Sequence, residues 1–169
     1  MSSESTRERV QAAVKANPRA MFMMLAAELG VPEAEVIRHL PDGMSRELDL
    51  KRWEELIRSF EPLGKVHVIC SNGAVTLEAF GQFGNFSLSG PFFNVQTSDI
   101  DMHIRHMNLG SAFAVEKPGH MDGFKTISFL FFDKSGNSAF KVFLSFGGKP
   151  PTPEREAQFA AIREKFGLE

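Results

Sequence analysis

The sequence predicts an α+β fold: an N-terminal helical cap on a curled, barrel-like antiparallel β-sheet domain, with a C-terminal helix packed against the sheet. Residues 1–60 carry helical patterns, and from residue 61 onward apolar and polar side chains alternate as they do in strands. Residues 154–166 return to helical spacing, with Phe159, Ile162 and Phe166 on one face. We expect residues 1–60 and residues 61–169 to form one integrated domain.

The N-terminal region is expected to contain four helices. They span residues 6–16, 21–29, 32–40 and 49–60. The first ends before an Asn-Pro turn, and the second ends at Gly30. The third begins at Pro32, which favours a first helical position, and Asp49 is the expected N-cap of the fourth.

Between residues 65 and 146 the pattern changes to six to eight short segments with strand-like alternation. The first two, KVHVIC and AVTLEAF, are separated by Ser71-Asn72-Gly73, and Asn-Gly is a strong signal for a β-hairpin. A second turn-rich connection, DKSGNS, joins KTISFLFF to AFKVFLSF. Short strands at such close spacing predict an antiparallel sheet.

The composition excludes several classes of function. A net charge of −2 argues against binding to nucleic acid or to an anionic membrane surface. The single cysteine rules out an internal disulfide, and the absence of tyrosine among 17 phenylalanines and one tryptophan excludes a phenolate ligand. The polar N-terminus is not a secretory signal, and no apolar run is long enough for membrane insertion. We therefore expect a cytoplasmic protein.

Three stretches resemble a known family. EPLGKVHVICSNGAVTLEAFG, SLSG and KTISFLFFDKSGNSAFKVFLSF resemble the HutX/ChuX family of cytosolic heme-utilisation carriers, in a match over about residues 20 to 168. The resemblance implies that heme is bound as cargo and passed to a downstream heme-accepting or heme-degrading protein. It also implies a homodimer, because such chains are similar to one half of the two-repeat heme proteins of the HemS type.

The resemblance also places the usual heme ligands, and here this chain departs from the pattern. The family's histidines fall near Ser71 and near Ser111, and neither position is histidine here. Other members use a tyrosine, which this chain lacks. An iron ligand must therefore come from elsewhere in the chain, or heme is not the ligand of this protein.

The stretch DMHIRHM, residues 101–107, holds two of the five histidines. As a strand, it places His106 in the apolar row of Met102 and Ile104, whereas His103 joins the polar row of Arg105. We therefore expect His106 or His103, but not both, to meet an iron atom, with Arg105 near a heme propionate. A helix would place both histidines on one face, but the alternation favours a strand.

Two further histidines are candidates. His67 shares a strand face with Ser71 but lies four residues earlier, or ~13 Å at ~3.3 Å per residue, so it does not simply replace that position. His120 lies in the accessible loop KPGHMDGF. His39 ends a predicted helix, where its imidazole suits the helix dipole, so we interpret it as structural. Lys65, Lys117 and Lys125 are further cations able to anchor propionates.

Two other classes of function stay open. MLAAELGVPEAEVIRHL has the shape of a helix-turn-helix, which would make the chain a DNA-binding regulator. Its second helix, however, carries Glu33 and Glu35, and these would face phosphates. A heme-modifying enzyme is the third possibility, although no P-loop, GxSxG, HExxH or CxxC motif is present.

Overall fold

The computed structural model describes residues 5–119 and 124–169. The α-helices are α1 Thr6–Ala16, α2 Phe22–Leu29, α3 Glu33–Arg38, α4 Trp53–Arg58 and α5 Pro153–Phe166. The strands are β1 Ser45–Glu47, β2 Lys65–Ser71, β3 Thr76–Gln82, β4 Phe86–Ser89, β5 Phe92–Gln96, β6 Asp101–Ile104, β7 Leu109–Pro118, β8 Lys125–Asp133 and β9 Ser138–Phe143. Short 3₁₀ turns occur at Leu50–Arg52, Glu61–Leu63 and His106–Asn108.

The strands form two antiparallel sheets. A six-stranded sheet has the order β1-β7-β8-β9-β2-β3, and a three-stranded sheet has the order β4-β5-β6. The predicted α+β class, with N-terminal helices and a C-terminal helix on antiparallel sheet, is confirmed. The sheet is curled but does not close into a barrel, because among the described residues β1 and β3 pair with no further strand and form its two edges.

The helix ends follow ordinary capping chemistry. Ser5 and Glu8 form a capping box at the start of α1, so two otherwise unpaired backbone N–H groups are satisfied. Gly30 ends α2 with φ +66°, a left-handed conformation that glycine adopts without strain. Asp49 accepts a hydrogen bond from the N–H of Lys51, as predicted for an N-cap, but it caps a 3₁₀ turn that leads into the shorter α4.

The β2–β3 hairpin confirms the Asn-Gly signal. The two strands pair from Lys65 opposite Gln82 to Ser71 opposite Thr76, so His67 stands opposite Phe80. No sequence pattern indicates β1, a strand that lies inside the region expected to be helical and pairs with β7. Through β1 the N-terminal region contributes directly to the six-stranded sheet.

The six-stranded sheet separates two apolar clusters. Its inner face, defined as the face towards α4, α5 and the three-stranded sheet, carries Val68, Phe129 and Phe140. Its outer face, defined as the face towards α1, α2 and α3, carries Phe113 and Phe132. Both faces are thus apolar where a second layer covers them, as expected for a three-layered arrangement.

Candidate functional site

The outer face of the six-stranded sheet is only partly covered by helices. Beside the start of α2 it leaves a groove of about 520 Å³ that extends from the end of β7 over β8, β9, β2 and β3. The helical wall is formed by Met21, Phe22 and Met23. The floor is formed by alternate residues of the strands, among them His67, Ile69, Ser71, Glu78, Thr126, Ser128, Lys141 and Phe143. The groove therefore combines apolar, hydroxyl and charged side chains in one concave surface.

Among the described residues, His67 is the one histidine that lines the groove. Its ring stacks on Phe80 with the centroids 4.2 Å apart, and Phe143 and Phe146 lie within 6.2 Å of it. Its Nε2 is 2.9 Å from Oε2 of Glu78, and only 14% of the side chain is exposed. The imidazole is therefore held in one orientation by a carboxylate and by aromatic rings.

The prediction that His67 and Ser71 share one strand face is confirmed, since both line the groove. The Ser71 hydroxyl accepts a hydrogen bond of 3.0 Å from the hydroxyl of Thr76 on the neighbouring strand. Ser111, the second position that the resemblance indicated, is buried on β7 and does not line the groove. Of the two positions at which the family has histidines, Ser71 therefore lies in the groove and Ser111 does not.

Two lysines of the groove have different partners. Lys141 on β9 forms an ion pair with Glu33 at the start of α3. Lys117 on β7 donates a hydrogen bond of 2.6 Å to the carbonyl oxygen of Ala20, just before α2. Its ammonium also lies 4.4 Å from the centre of the Phe22 ring. Both lysines thus connect the helical cap to the sheet.

His103 lies on β6, in the three-stranded sheet, and is not a groove residue. Its Nδ1 is 2.7 Å from the side-chain oxygen of Asn94, and its Nε2 is 3.5 Å from Asp101. Asn94 is 6% exposed and donates to the hydroxyl of Ser87. His103 therefore satisfies a buried amide, and its side chain is 53% exposed.

The expectation that residues 101–107 form one strand is wrong at its end. β6 stops at Ile104, and residues His106–Asn108 form a 3₁₀ turn, so His106 is not in the apolar strand row. His106 instead stacks on Trp53 of α4, with the ring centroids 4.2 Å apart at an angle of 11°. The aromatic partner lies on a different element of the chain, which strand periodicity does not reveal.

The other predicted site residues are not gathered with His67. Arg105 is exposed where β6 ends, and the groove does not include it. His120 lies outside the described residues. Within 5–119 and 124–169, no three histidine, cysteine, aspartate or glutamate side chains cluster in a way that would hold a bare metal ion. No helix described there is long and apolar enough to cross a membrane.

Sequence reasoning missed much of the groove. It had named Lys117 only as one of several cations, and it assigned no role to Met21, Met23, Lys141 or Phe143. A usable signal was present on the strands, because polar residues interrupt the apolar row of β8 at Thr126 and Ser128. The contribution of the helical wall has no such local signal, since it depends on where α2 begins above the sheet.

A concave, largely apolar groove with a few convergent polar groups is typical of a protein that binds a small molecule. Residues 46–162 match the family described as Haem utilisation ChuX/HutX, and the chain belongs to this family. It is 24% identical over 165 residues to the intracellular heme transport protein HutX of Vibrio cholerae, with 96% of this chain and 84% of that protein covered.

Solved structures share the fold. The structure of the heme-binding protein ChuX aligns with a TM-score of 0.81 and 22% identity, over 92% of this chain and 97% of that one. The structure of holo-PhuS, a heme-binding protein from Pseudomonas aeruginosa, aligns with a TM-score of 0.81 and 20% identity. The alignment covers 98% of this chain but 46% of PhuS, so this chain spans about half of that protein.

Proposed function

We propose that this protein is a cytoplasmic heme carrier that binds heme in the groove beside α2 and passes it to a heme-accepting or heme-degrading protein. The groove carries the proposal, because it joins an imidazole, apolar walls and two cations on one concave surface. These are the groups that iron, the porphyrin ring and the propionates require. Membership of the haem utilisation family and the heme-related names of HutX, ChuX and PhuS support it.

His67 is the proposed iron ligand. Histidines that bind metals commonly hold a second-shell carboxylate through the other ring nitrogen, and Glu78 occupies that role at Nε2. The nitrogen left for iron is then Nδ1. Met21 and Met23 stand on the helical wall of the same groove, and their thioethers are the alternative soft donors.

Titration of the apo-protein with hemin tests the proposal. We expect a sharpened Soret band that saturates near one heme per protomer, and His67→Ala should shift its maximum and weaken binding. His103→Ala is the matched control, because that histidine is bonded to Asn94 outside the groove. Absence of saturable hemin binding would overturn the carrier function.

The same titration separates the remaining ligand candidates. His106→Ala and His120→Ala complete the set of predicted histidines, and neither is expected to change the spectrum as strongly as His67→Ala. If none of the four alanine variants altered a spectrum that nonetheless saturates, ligation by these four histidines would be excluded. Met21→Leu and Met23→Leu would then identify a thioether ligand.

A homodimer is the second part of the proposal. This chain covers about half of PhuS, so two copies would supply an equal amount of folded chain. β3 is an edge strand, and the exposed Val75, just before it, and Leu77, within it, are apolar, as expected of a contact surface. Light scattering after gel filtration should give twice 18.8 kDa, and a monomer mass would contradict the dimer.

The packing of α3 disfavours the DNA-binding alternative. Ala34, Val36 and Ile37 are buried against the sheet, and Glu33 is paired with Lys141. A recognition helix must instead offer an exposed face to the major groove.

Transfer of heme from the loaded protein to apomyoglobin without loss of the porphyrin would distinguish a carrier from a heme-modifying enzyme.

A further inference from the structure

One face of the three-stranded sheet holds a histidine and a carboxylate side by side. Asp101 and His103 are two residues apart on β6, so their side chains lie on the same face of the strand. Nε2 of His103 is 3.5 Å from Oδ1 of Asp101, and the two side chains are 53% and 68% exposed, respectively. The pair is therefore open to solvent and to dissolved ions.

Each of the two side chains is held by the residue opposite to it on β5. Asn94 stands opposite His103, and Gln96 stands opposite Asp101. Nδ1 of His103 is 2.7 Å from the side-chain oxygen of Asn94, which is 6% exposed and whose own amide donates to Ser87. Nε2 of Gln96 donates to Oδ1 of Asp101 over 3.4 Å. The imidazole and the carboxylate are thus oriented by a second shell of amides, as metal ligands commonly are.

The bond to Asn94 decides which nitrogen of His103 is available. An amide oxygen only accepts hydrogen bonds, so Nδ1 of His103 carries the hydrogen. In the neutral imidazole, Nε2 then has a free lone pair beside the Asp101 carboxylate. A lone pair and a carboxylate oxygen in such proximity attract a cation between them, either a proton or a metal ion.

The spacing of the two ligand atoms suits a metal ion. Bonds of ~2.0–2.1 Å to nitrogen and oxygen at a tetrahedral ion place the two ligand atoms ~3.3 Å apart. The observed separation of Nε2 of His103 and Oδ1 of Asp101 is 3.5 Å, so only a small adjustment of two exposed side chains is needed. The pair can therefore chelate an ion without a change in the backbone.

The other histidine–carboxylate pairs of the described residues lack this combination of features. Glu35, which lies 3.4 Å from His39, also forms an ion pair with Arg38, so its charge is already neutralised. His67 is only 14% exposed and stacks on an aromatic ring in the groove. Within 5–119 and 124–169, no lysine or arginine forms an ion pair with Asp101. Its negative charge is therefore available to an incoming cation.

We propose that Asp101 and His103 form a binding site for a borderline divalent metal ion, Cu²⁺ or Zn²⁺, on the three-stranded sheet. Both ions accept an imidazole nitrogen together with a carboxylate oxygen. Two protein ligands leave the other coordination positions to water, so the site binds a hydrated ion, unlike a closed site of three or four protein ligands. It lies outside the groove and does not depend on heme binding.

Calorimetric titration of the full chain with Cu²⁺ and with Zn²⁺ tests the site. The wild type should bind Cu²⁺ more tightly than Zn²⁺, which is the general order of affinity. His103→Ala should lose one bound ion per protomer, and Asp101→Asn should weaken its binding by at least about ten-fold, since even outer-shell partners account for 10–100-fold. His39→Ala is the matched control, because it removes the histidine of the pair whose carboxylate is neutralised, and it should leave this ion bound.

Electron paramagnetic resonance of the Cu²⁺ complex identifies the ligand directly. Hyperfine splitting from an imidazole nitrogen should be present in the wild type and in His39→Ala but absent in His103→Ala. Asp101→Asn keeps the shape of its side chain, so it separates a lost ligand from any loss of stability when His103 is truncated beside Asn94. An unchanged Cu²⁺ titration in His103→Ala and Asp101→Asn would overturn the proposal. Equal losses in His39→Ala and His103→Ala would also overturn it, because they would indicate non-specific binding by histidines.

Discussion

The two halves of the outer face of the six-stranded sheet differ although the same strands build them. Under the helical cap, Leu130 and Phe132 of β8 are at most 1% exposed and join the apolar cluster. Toward the groove, the same row of β8 continues with Ser128 and Thr126. β7 changes in the same way, from Phe113 beneath the cap to a lysine at the groove. The boundary between the covered half and the groove is thus set by the residue sequence along single strands.

The largest expected loss of stability comes from a substitution in the half of the outer face that the helices cover. Phe132→Ala removes a fully buried ring beneath the helices, and we expect the free energy of unfolding to fall by ~3–5 kcal/mol. Phe143→Ala removes a partly exposed ring of the groove and should lower it by only about 1 kcal/mol, since less apolar area is lost. Urea unfolding measures both. Equal losses would show that the groove is as much a part of the core as the covered half.

Loss of the ion pair between the helical cap and the groove, Glu33 with Lys141, should have the next largest effect on stability. Glu33→Gln leaves the Lys141 ammonium buried without a counter-charge, and we expect a loss of about 3 kcal/mol in the free energy of unfolding. Glu54→Gln is the control, because it breaks an exposed helical pair with Arg58 and should cost only ~0.5 kcal/mol. A loss for Glu33→Gln as small as that of the control would mean that the cap is not anchored there.

The smallest and most informative effect is expected for Lys117→Met, which should stabilise the fold where the other substitutions destabilise it. Burial, with the nearby charge of Lys141 as a smaller cause, lowers the pKa of Lys117 to about 8. Lys117→Met removes a charge that burial disfavours, so the variant should melt at a higher temperature than the wild type at neutral pH. Between pH 8 and pH 10.5 the unfolded wild-type chain keeps a proton that the folded chain has released, so wild-type stability rises with pH. The advantage of the variant should therefore shrink across this window.

Thermal melts from pH 7 to pH 10.5 measure that difference. Lys65→Met, on the exposed beginning of β2, should show no comparable trend. A constant difference between Lys117→Met and the wild type across the range would indicate that Lys117 is not desolvated. A lower melting temperature at every pH would indicate that its bond to Ala20 stabilises the fold more than the burial of its charge destabilises it.

Local patterns in the sequence predicted most of the fold. Helix-forming residues before the Asn-Pro turn located α1, apolar spacing located α5, and alternation with the Asn-Gly turn located the β2–β3 hairpin. β1 was not predicted, because its three polar residues show no periodic pattern, and only their pairing with β7 defines them as a strand. His106 was misplaced for a related reason, since its partner Trp53 lies about fifty residues away in the sequence.

The candidate site was less predictable than the fold. The strand face of His67 followed from alternation, because a period of two is a local property. The helical wall and the unequal environments of Lys117 and Lys141 did not, because they depend on contacts between residues such as Glu33 and Lys141 that are far apart in sequence. Which lysine finds a carboxylate is decided by the docking of the cap, not by either strand.

The stacking of Trp53 on His106 has a practical consequence. Trp53 is the single tryptophan of the chain, so its fluorescence reports on the junction of α4 with the three-stranded sheet. It does not line the groove, and heme bound beside His67 would quench it by energy transfer through space. Heme held by His106 would touch the indole and extinguish its emission. Loss of emission on addition of hemin therefore reports binding at either location, whereas only heme held by His106 would displace the imidazole from its stack on Trp53.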